Sequence, residues 1–461
     1  MTTVNVIESG SAAALNYSEI LWPSLNFDSS TTDKEYECIY PQSALNQVLQ
    51  ANSSVTFNLP RSLGNIAYDL TDMELEFFVT LEPVKESEPI KDNELTSISF
   101  NFTNCLIKSI KYYWNNVCIQ SVDENMLWSY FEQLLNIDNQ AKETYLYPMG
   151  YGVEGTDMDD CTSSNKGWQS RRKFFGKTQT DAEGKEIFKF DPGRVVPFRM
   201  KFKHFMNATI VPESVNTRIT IDLNESKYGL MCDSAVKERK IVIKKLILHV
   251  RKRTIKPSLY ESFKQRWKHD PYRYIFNRYD TRVQVLSPNC RTFFIDDITS
   301  GFSVSKVFIF LQSQKRFEGS HSKSPFKFER FFESSTSGVK SALESYTFEM
   351  GGRRTESTIK DNLDHLTFMR ICDMLNFTTE RNIFALTYEE YMNQCYFIGL
   401  DLSVSICNDQ FLTPLVRTGR ARLELNFDNP LGESVVAFVI SEISTSAYVD
   451  DMGRVTIKNL V

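Results

Sequence analysis

No stretch of this 461-residue sequence approaches the ~20 consecutive apolar residues of a membrane-crossing helix, so no membrane span is expected. Basic residues are absent before Lys34, and with them the positive start of a secretory leader. The expectation is a chain made and kept inside a cell. Histidine is scarce: the five residues His204, His249, His269, His321 and His365 form no close pair. The nine cysteines (Cys38, Cys105, Cys118, Cys161, Cys232, Cys290, Cys372, Cys395, Cys407) contain no Cys-x-x-Cys, which leaves zinc without a ligand set. Their odd number and scatter suit reduced thiols better than a disulfide framework. Neither sign of charge dominates, with 53 Lys and Arg against 58 Asp and Glu, so no global pull toward nucleic acid or a lipid surface is expected.

What the chain has in quantity is alternation. Leu400, Leu402, Val404 and Ile406 alternate with Asp401, Ser403 and Ser405; Leu423, Leu425 and Phe427 alternate with Arg422, Glu424 and Asn426. Val435 to Ile440 follows as a wholly apolar run. The first half carries the same pattern in Val55, Phe57 and Leu59 and in Ile219, Ile221 and Leu223. Period-2 patterning marks antiparallel strands with one face on a core. The length allows about two to four domains of ~100–200 residues, and the pattern favours two β-sandwiches in tandem.

Up to Gln50 the sequence is polar and without a sustained period, and reads as an N-terminal arm, residues 1–50. The first sandwich is placed at 51–256, with strands at Val55–Leu59, Met73–Leu81, Ile107–Trp114, Val117–Gln120, Val195–Phe202, Arg218–Leu223 and Ile241–Val250. In the last of these the alternation slips at Lys244 and Lys245, which predicts a bulge. A helix over Asn125–Ile137 gathers Met126, Leu127, Tyr130, Phe131, Leu134 and Leu135 on one face and is expected across an edge or end of the sandwich. Ser258 and Glu261 have the spacing of a capping box, and a short helix there, carrying Phe263 and Trp267, marks the boundary.

The second sandwich, 257–461, has strands at Tyr272–Leu286, Arg291–Asp296, Lys306–Gln312, Lys327–Phe332 and Ser345–Glu349 and a turn at Gly351-Gly352. A helix over Asp361–Phe377 is read with a stripe of Leu363, Leu366, Met369, Cys372 and Leu375, capped by Asp361 or Asn362. Three segments, Glu82–Ser97, Asn139–Glu186 and Ser313–Glu344, exceed the ~12–15 residues usual for loops. Two carry many aromatics (Tyr145, Tyr147, Tyr151, Trp168, Phe174, Phe175; Phe317, Phe326), and a partner subunit is the expected contact.

Few residues suggest chemistry. Gly176-Lys177-Thr178 has the wording of a phosphate loop, but Arg171 stands where its first glycine belongs. Glu154, Asp157, Asp159 and Asp160 could offer oxygen ligands to calcium, yet lack EF-hand spacing, and a solvated acidic loop is preferred. Arg171, Arg172 and Lys173 beside Trp168, Phe174 and Phe175 combine charge with stacking; packing at a subunit contact is preferred over nucleic acid. The sequons at Asn16, Asn52, Asn101, Asn207, Asn224 and Asn376 read as chance. No catalytic, cofactor-binding or metal residue is assigned, no cofactor is expected, and the chain reads as a non-enzyme.

The ordered segments resemble the double jelly-roll major capsid proteins of Polinton-type elements, adintoviruses and related DNA viruses. The likeness runs from Phe57-Asn58-Leu59-Pro60 and Tyr68-Asp69-Leu70 through Tyr272–Leu286, Lys306–Gln312, Ser324-Pro325-Phe326-Lys327-Phe328 and Gly351-Gly352. It continues in Thr387-Tyr388-Glu389-Glu390-Tyr391, Phe397-Ile398-Gly399-Leu400-Asp401-Leu402 and Gly419-Arg420-Ala421-Arg422-Leu423-Glu424-Leu425-Asn426-Phe427, ending near Tyr448 and Arg454. One departure is Lys323-Ser324-Pro325-Phe326, where many members have a glycine-rich Asn-Pro-Phe. The resemblance implies an all-β fold of two tandem eight-stranded antiparallel jelly rolls with short helices and long loops. It also implies pseudo-hexagonal homotrimers, neighbouring capsomers and a minor (penton) capsid protein as partners, a place in the virion, and towers built from the segments starting at Asn139 and Ser313. A carbohydrate-binding jelly-roll protein and a domesticated, host-encoded capsid homologue are the competing readings.

Overall fold

A computed structural model describes residues 31–42, 53–60, 64–202, 211–299, 304–359, 363–374, 386–402 and 419–459, apart from short gaps at 138–141, 143, 153, 155–156, 163, 181–183, 185, 212–214, 237 and 337. The first half contains β1 (Thr31–Ile39), β2 (Ser54–Asn58), β3 (Ile66–Pro83), β4 (Thr96–Ile98), β5 (Ile107–Trp114), β6 (Val117–Val122), β7 (Gly176–Thr180), β8 (Glu186–Phe190), β9 (Val196–Phe202), β10 (Thr217–Leu223), β11 (Leu230–Cys232) and β12 (Arg239–Ile255). Its helices are α1 (Phe102–Cys105), α2 (Asn125–Asn136) and α3 (Lys166–Arg172). The second half opens with α4 (Pro257–Trp267) and continues with β13 (Tyr272–Leu286), β14 (Thr292–Ile295), β15 (Lys306–Ser313), α5 (Gln314–Phe317), β16 (Phe331–Glu333), β17 (Lys340–Met350) and β18 (Arg353–Thr358). It ends with α6 (His365–Met374), α7 (Tyr388–Asn393), β19 (Phe397–Asp401), β20 (Ala421–Phe427), β21 (Val435–Val449) and β22 (Val455–Asn459). Among the described residues, no helix is long and apolar enough to cross a membrane.

The strands pair antiparallel into two sandwiches of two sheets each. In the first, the order β1-β12-β3-β9 faces β2-β10-β5-β6. In the second, β13-β21-β15-β19 faces β14-β20-β17, with β16 and β18 both paired to β17. This interleaved order is a jelly roll, made twice. Alternation produces it directly: Ile219, Ile221 and Leu223 of β10 are buried while Arg218, Thr220 and Asp222 are half-exposed. Val435–Ile440 of β21 is buried on both faces, which is why it does not alternate.

The register between β12 and β3 shifts from Ile243 to Lys245, so the slip in the sequence is a bulge and both lysines reach solvent. Other expectations need correction. Thr31–Ile39, read as arm, is the edge strand β1 paired with β12, which carries the first sandwich back into residues 1–50. No capping box forms at Ser258: Lys256 is the N-cap and Pro257 takes the first helical position, so Ser258 sits two places too far in. A capping box does form at Thr387 and Glu390, opening α7. Helix α6 buries Thr367, Ile371 and Met374, while Leu363, Leu366 and Met369 of the expected stripe are 47%, 48% and 60% exposed. Its first turn is held by Asp364, whose carboxylate accepts from the Thr367 amide at 3.0 Å. The expected caps Asp361 and Asn362, the stripe end Leu375, the alternating residues Ser403 to Ile406, and His204 and Cys407 lie outside the described residues.

Candidate functional site at the seam between the sandwiches

Helix α2, expected across an edge or end of the first sandwich, packs beside β5. It is buried nearly all round and is held between the sandwiches. Phe131 sits 4.3 Å and 5.1 Å, ring to ring, from Phe308 and Phe310 of β15, and 5.8 Å from Phe397 of β19. Tyr130 packs at 4.7 Å, ring to ring, against Phe326 with the rings tilted, and its hydroxyl meets the Cys395 sulfur at 3.2 Å. Burial pushes the Cys395 thiol up to about 11 and Tyr130 well above its ordinary value, so both stay neutral. Trp128 packs against Tyr279, and Trp114 against Tyr274, at about 5 Å each. One apolar core thereby runs through both sandwiches.

Around this aromatic layer runs a polar lock. The Arg316 guanidinium, on α5, donates to both oxygens of Asp159 at 2.6 Å and 2.5 Å, and lies 3.4 Å from Glu329. Lys327 reaches Asp157 at 2.5 Å, and the Ser324 amide donates to Asp159 at 2.8 Å. Burial works to raise the Asp157 carboxyl, but the hydrogen bond and charge of Lys327 hold it below the usual range. For Glu329 burial prevails over the pull of Arg316, and its carboxyl is raised.

The residues singled out for chemistry are absorbed by these contacts. Asp157 and Asp159 join the lock, Asp160 accepts from Ser164 and Thr162, and Glu154 pairs with the buried Arg171 at 2.6 Å. Burial raises Glu154 against the pull of that arginine. Among the described residues, no group of three or more His, Cys, Asp or Glu is arranged to hold a metal ion. Arg171 also donates to the carbonyls of Ile98 and Gly152, and Arg172 lies over the Phe188 ring at 4.0 Å and donates to the Glu94 carbonyl. Both guanidinium groups are buried in their own chain, so neither is open to nucleic acid, whereas Lys173 is exposed and Phe174 half-buried. Gly176-Lys177-Thr178 opens β7 of a hairpin; a Cβ at Gly176 would meet the Lys189 carbonyl at 2.4 Å. Of the sequons within the described residues, Asn101 is buried and Asn224 donates its amide to the Cys105 carbonyl.

The aromatics of the long segments mostly pack inward: Tyr151, Trp168, Phe175 and Phe326 are buried, whereas Tyr145 and Tyr147 are exposed. Sequence reasoning missed Arg316, Lys327 and the role of Phe131, because their partners lie far along the chain.

Two jelly rolls, the first of two four-stranded sheets and the second of two five-stranded ones, joined through a buried helix, define the double jelly-roll class of fold. No protein-family model matches the chain, and no curated protein is similar to it in sequence. Solved structures are similar in fold. A chain of the Sputnik virophage determined by cryo-electron microscopy has a TM-score of 0.61 at 8% identity, over 99% of this chain and 95% of that one. The Faustovirus major capsid protein gives 0.55 at 10%, with 93% of each chain covered. The mavirus major capsid protein gives 0.52 at 10%, over 100% of this chain and 93% of that one.

Proposed function

We propose that this protein is the major capsid protein of a DNA virus or virus-like mobile element, and that it works by assembly. The carrying observation is that the likeness to viral capsid proteins runs the length of the chain, so both jelly rolls and the joint between them are shared. Three copies of such a two-lobed body around an axis give a six-lobed block that tiles a hexagonal lattice, and closed symmetric assemblies are the common solution for identical chains. In this reading the partners are two further copies, neighbouring capsomers and a minor penton protein, and the protein resides in the virion. The Polinton lineage is the branch that the sequence resemblance favours.

Light scattering on a sizing column tests the assembly. A mass three times the 53.3 kDa of the chain, or particles, supports the reading. A monomer across the accessible concentration range overturns the trimer.

A further inference from the structure

On the outer face of the sheet β1-β12-β3-β9, three neighbouring strands bring together Cys38, His249 and Glu76. Cys38 stands directly opposite His249 in register, with its sulfur 3.3 Å from Nδ1. The other ring nitrogen, Nε2, lies 2.9 Å from Glu76 Oε2, and the second Glu76 oxygen accepts from Arg199 of β9 at 3.2 Å. Burial would raise the Glu76 carboxyl, but hydrogen bonds from His249 and Arg199 hold it low and therefore ionised. An ionised carboxylate on Nε2 keeps the proton there and leaves the Nδ1 lone pair facing the thiol. This is the order nucleophile, base, orienting carboxylate. It is not a metal site, because the two ring nitrogens face different partners.

Among the described residues, Cys38 is the cysteine whose sulfur meets a histidine. Cys161, Cys232 and Cys395 are buried, and burial pushes their thiols up to about 12, 11 and 11. Cys38 is exposed on an edge strand, where a small molecule can approach the sulfur. Cys290 is exposed too, without such a neighbour, and serves as an internal reference.

We infer that Cys38 is a site of reversible S-thiolation by small disulfides, with His249 as its base and Glu76 as the positioning residue. His249 Nδ1 takes the thiol proton, and the Cys38 sulfur attacks one sulfur of the disulfide. A new S–S bond forms as the old one breaks, and the departing thiolate recovers the proton from the imidazolium. Cys38 is oxidised to a mixed disulfide while half of the small disulfide is reduced to a thiol.

The test uses the full chain, freed of reductant and incubated with glutathione disulfide, with each cysteine followed by peptide mass spectrometry. Cys38 is expected to react at least about tenfold faster than Cys290, a floor set below the ~10²–10⁴-fold typical of general-base assistance. His249→Gln is expected to remove that advantage while Cys290 keeps its rate, and Glu76→Gln to remove part of it. Equal rates at Cys38 and Cys290 in the unaltered protein overturn the inference. So does an unchanged Cys38 rate in a folded His249→Gln variant. Should that variant not fold, the ratio within the unaltered protein decides alone.

Discussion

Replacing Arg316 by Met keeps most of the side-chain volume and removes the cation that joins the two loops. The Arg316 side chain is 5% exposed, and the carboxylates it serves, Asp159 and Glu329, are 25% and 21% exposed. Breaking a fully buried pair from one side costs about 3–5 kcal/mol, whereas an exposed pair is worth up to ~1. A pair with one partner a quarter exposed falls between, and we expect Arg316→Met to cost about 2–3 kcal/mol. The cost arises because Asp159 and Glu329 then face each other across the seam uncompensated. Asp159→Asn in that background should recover part of the loss. The assay is urea unfolding of the two single variants, the double variant and the parent at one protein concentration, read as a double-mutant cycle. A loss within about 0.5 kcal/mol for Arg316→Met, or strictly additive single changes, would refute the view that this lock joins the sandwiches. The deficit should also shrink as pH falls toward the ordinary 4.5 of a glutamate, since a protonated Glu329 needs no cation.

Phe131→Ala should cost about 3–5 kcal/mol in the same assay, because three phenylalanines of the other sandwich lose their common neighbour. Gly150→Ala should destabilise by at least about 1–3 kcal/mol, since Gly150 has φ +73° and an added Cβ would stand 2.6 Å from the Phe102 Cβ. Stability should hold from pH 7 to 5 and fall below about 4. In Asp72, Glu76, Glu94 and Asp157 burial is overcome by hydrogen bonds and cations that depress the carboxyls, so their contribution is complete above the unfolded values and is lost as pH drops through the lower folded ones. Glu124, Glu154 and Glu329, raised by burial, act in the opposite sense, stabilising below their ordinary value; a urea midpoint that rises below pH 4 would show that they prevail.

The strands were legible wherever one face is wet, because alternation records that environment residue by residue; β10 and β20 are examples. Even the bulge at Lys244 left its mark as a slipped period. Edge strand β1 left none. It pairs through polar contacts on both faces, such as Tyr36 with Asp72 and Glu37 with Lys252, so its stabilising contacts are invisible to hydrophobic periodicity. The α6 stripe was misread for a geometrical reason. Steps of three residues rotate by roughly 60° each relative to a straight row, so Leu363, Leu366 and Met369 drift around the helix while Thr367, Ile371 and Met374 keep one face. The seam was hidden for another reason: Phe131 and Phe308, or Asp159 and Arg316, are too far apart in sequence for any local pattern to link them.

Helix α2 also determines how the molecule can bend. To tilt one sandwich against the other, Phe131 must leave Phe308 and Phe310, and Arg316 must release Asp159, so the two lobes move as a single stiff body. In a shell built of such bodies, curvature has to be taken up at the joints between them. Flat facets would then form with little strain, and bending would concentrate along edges and at vertices.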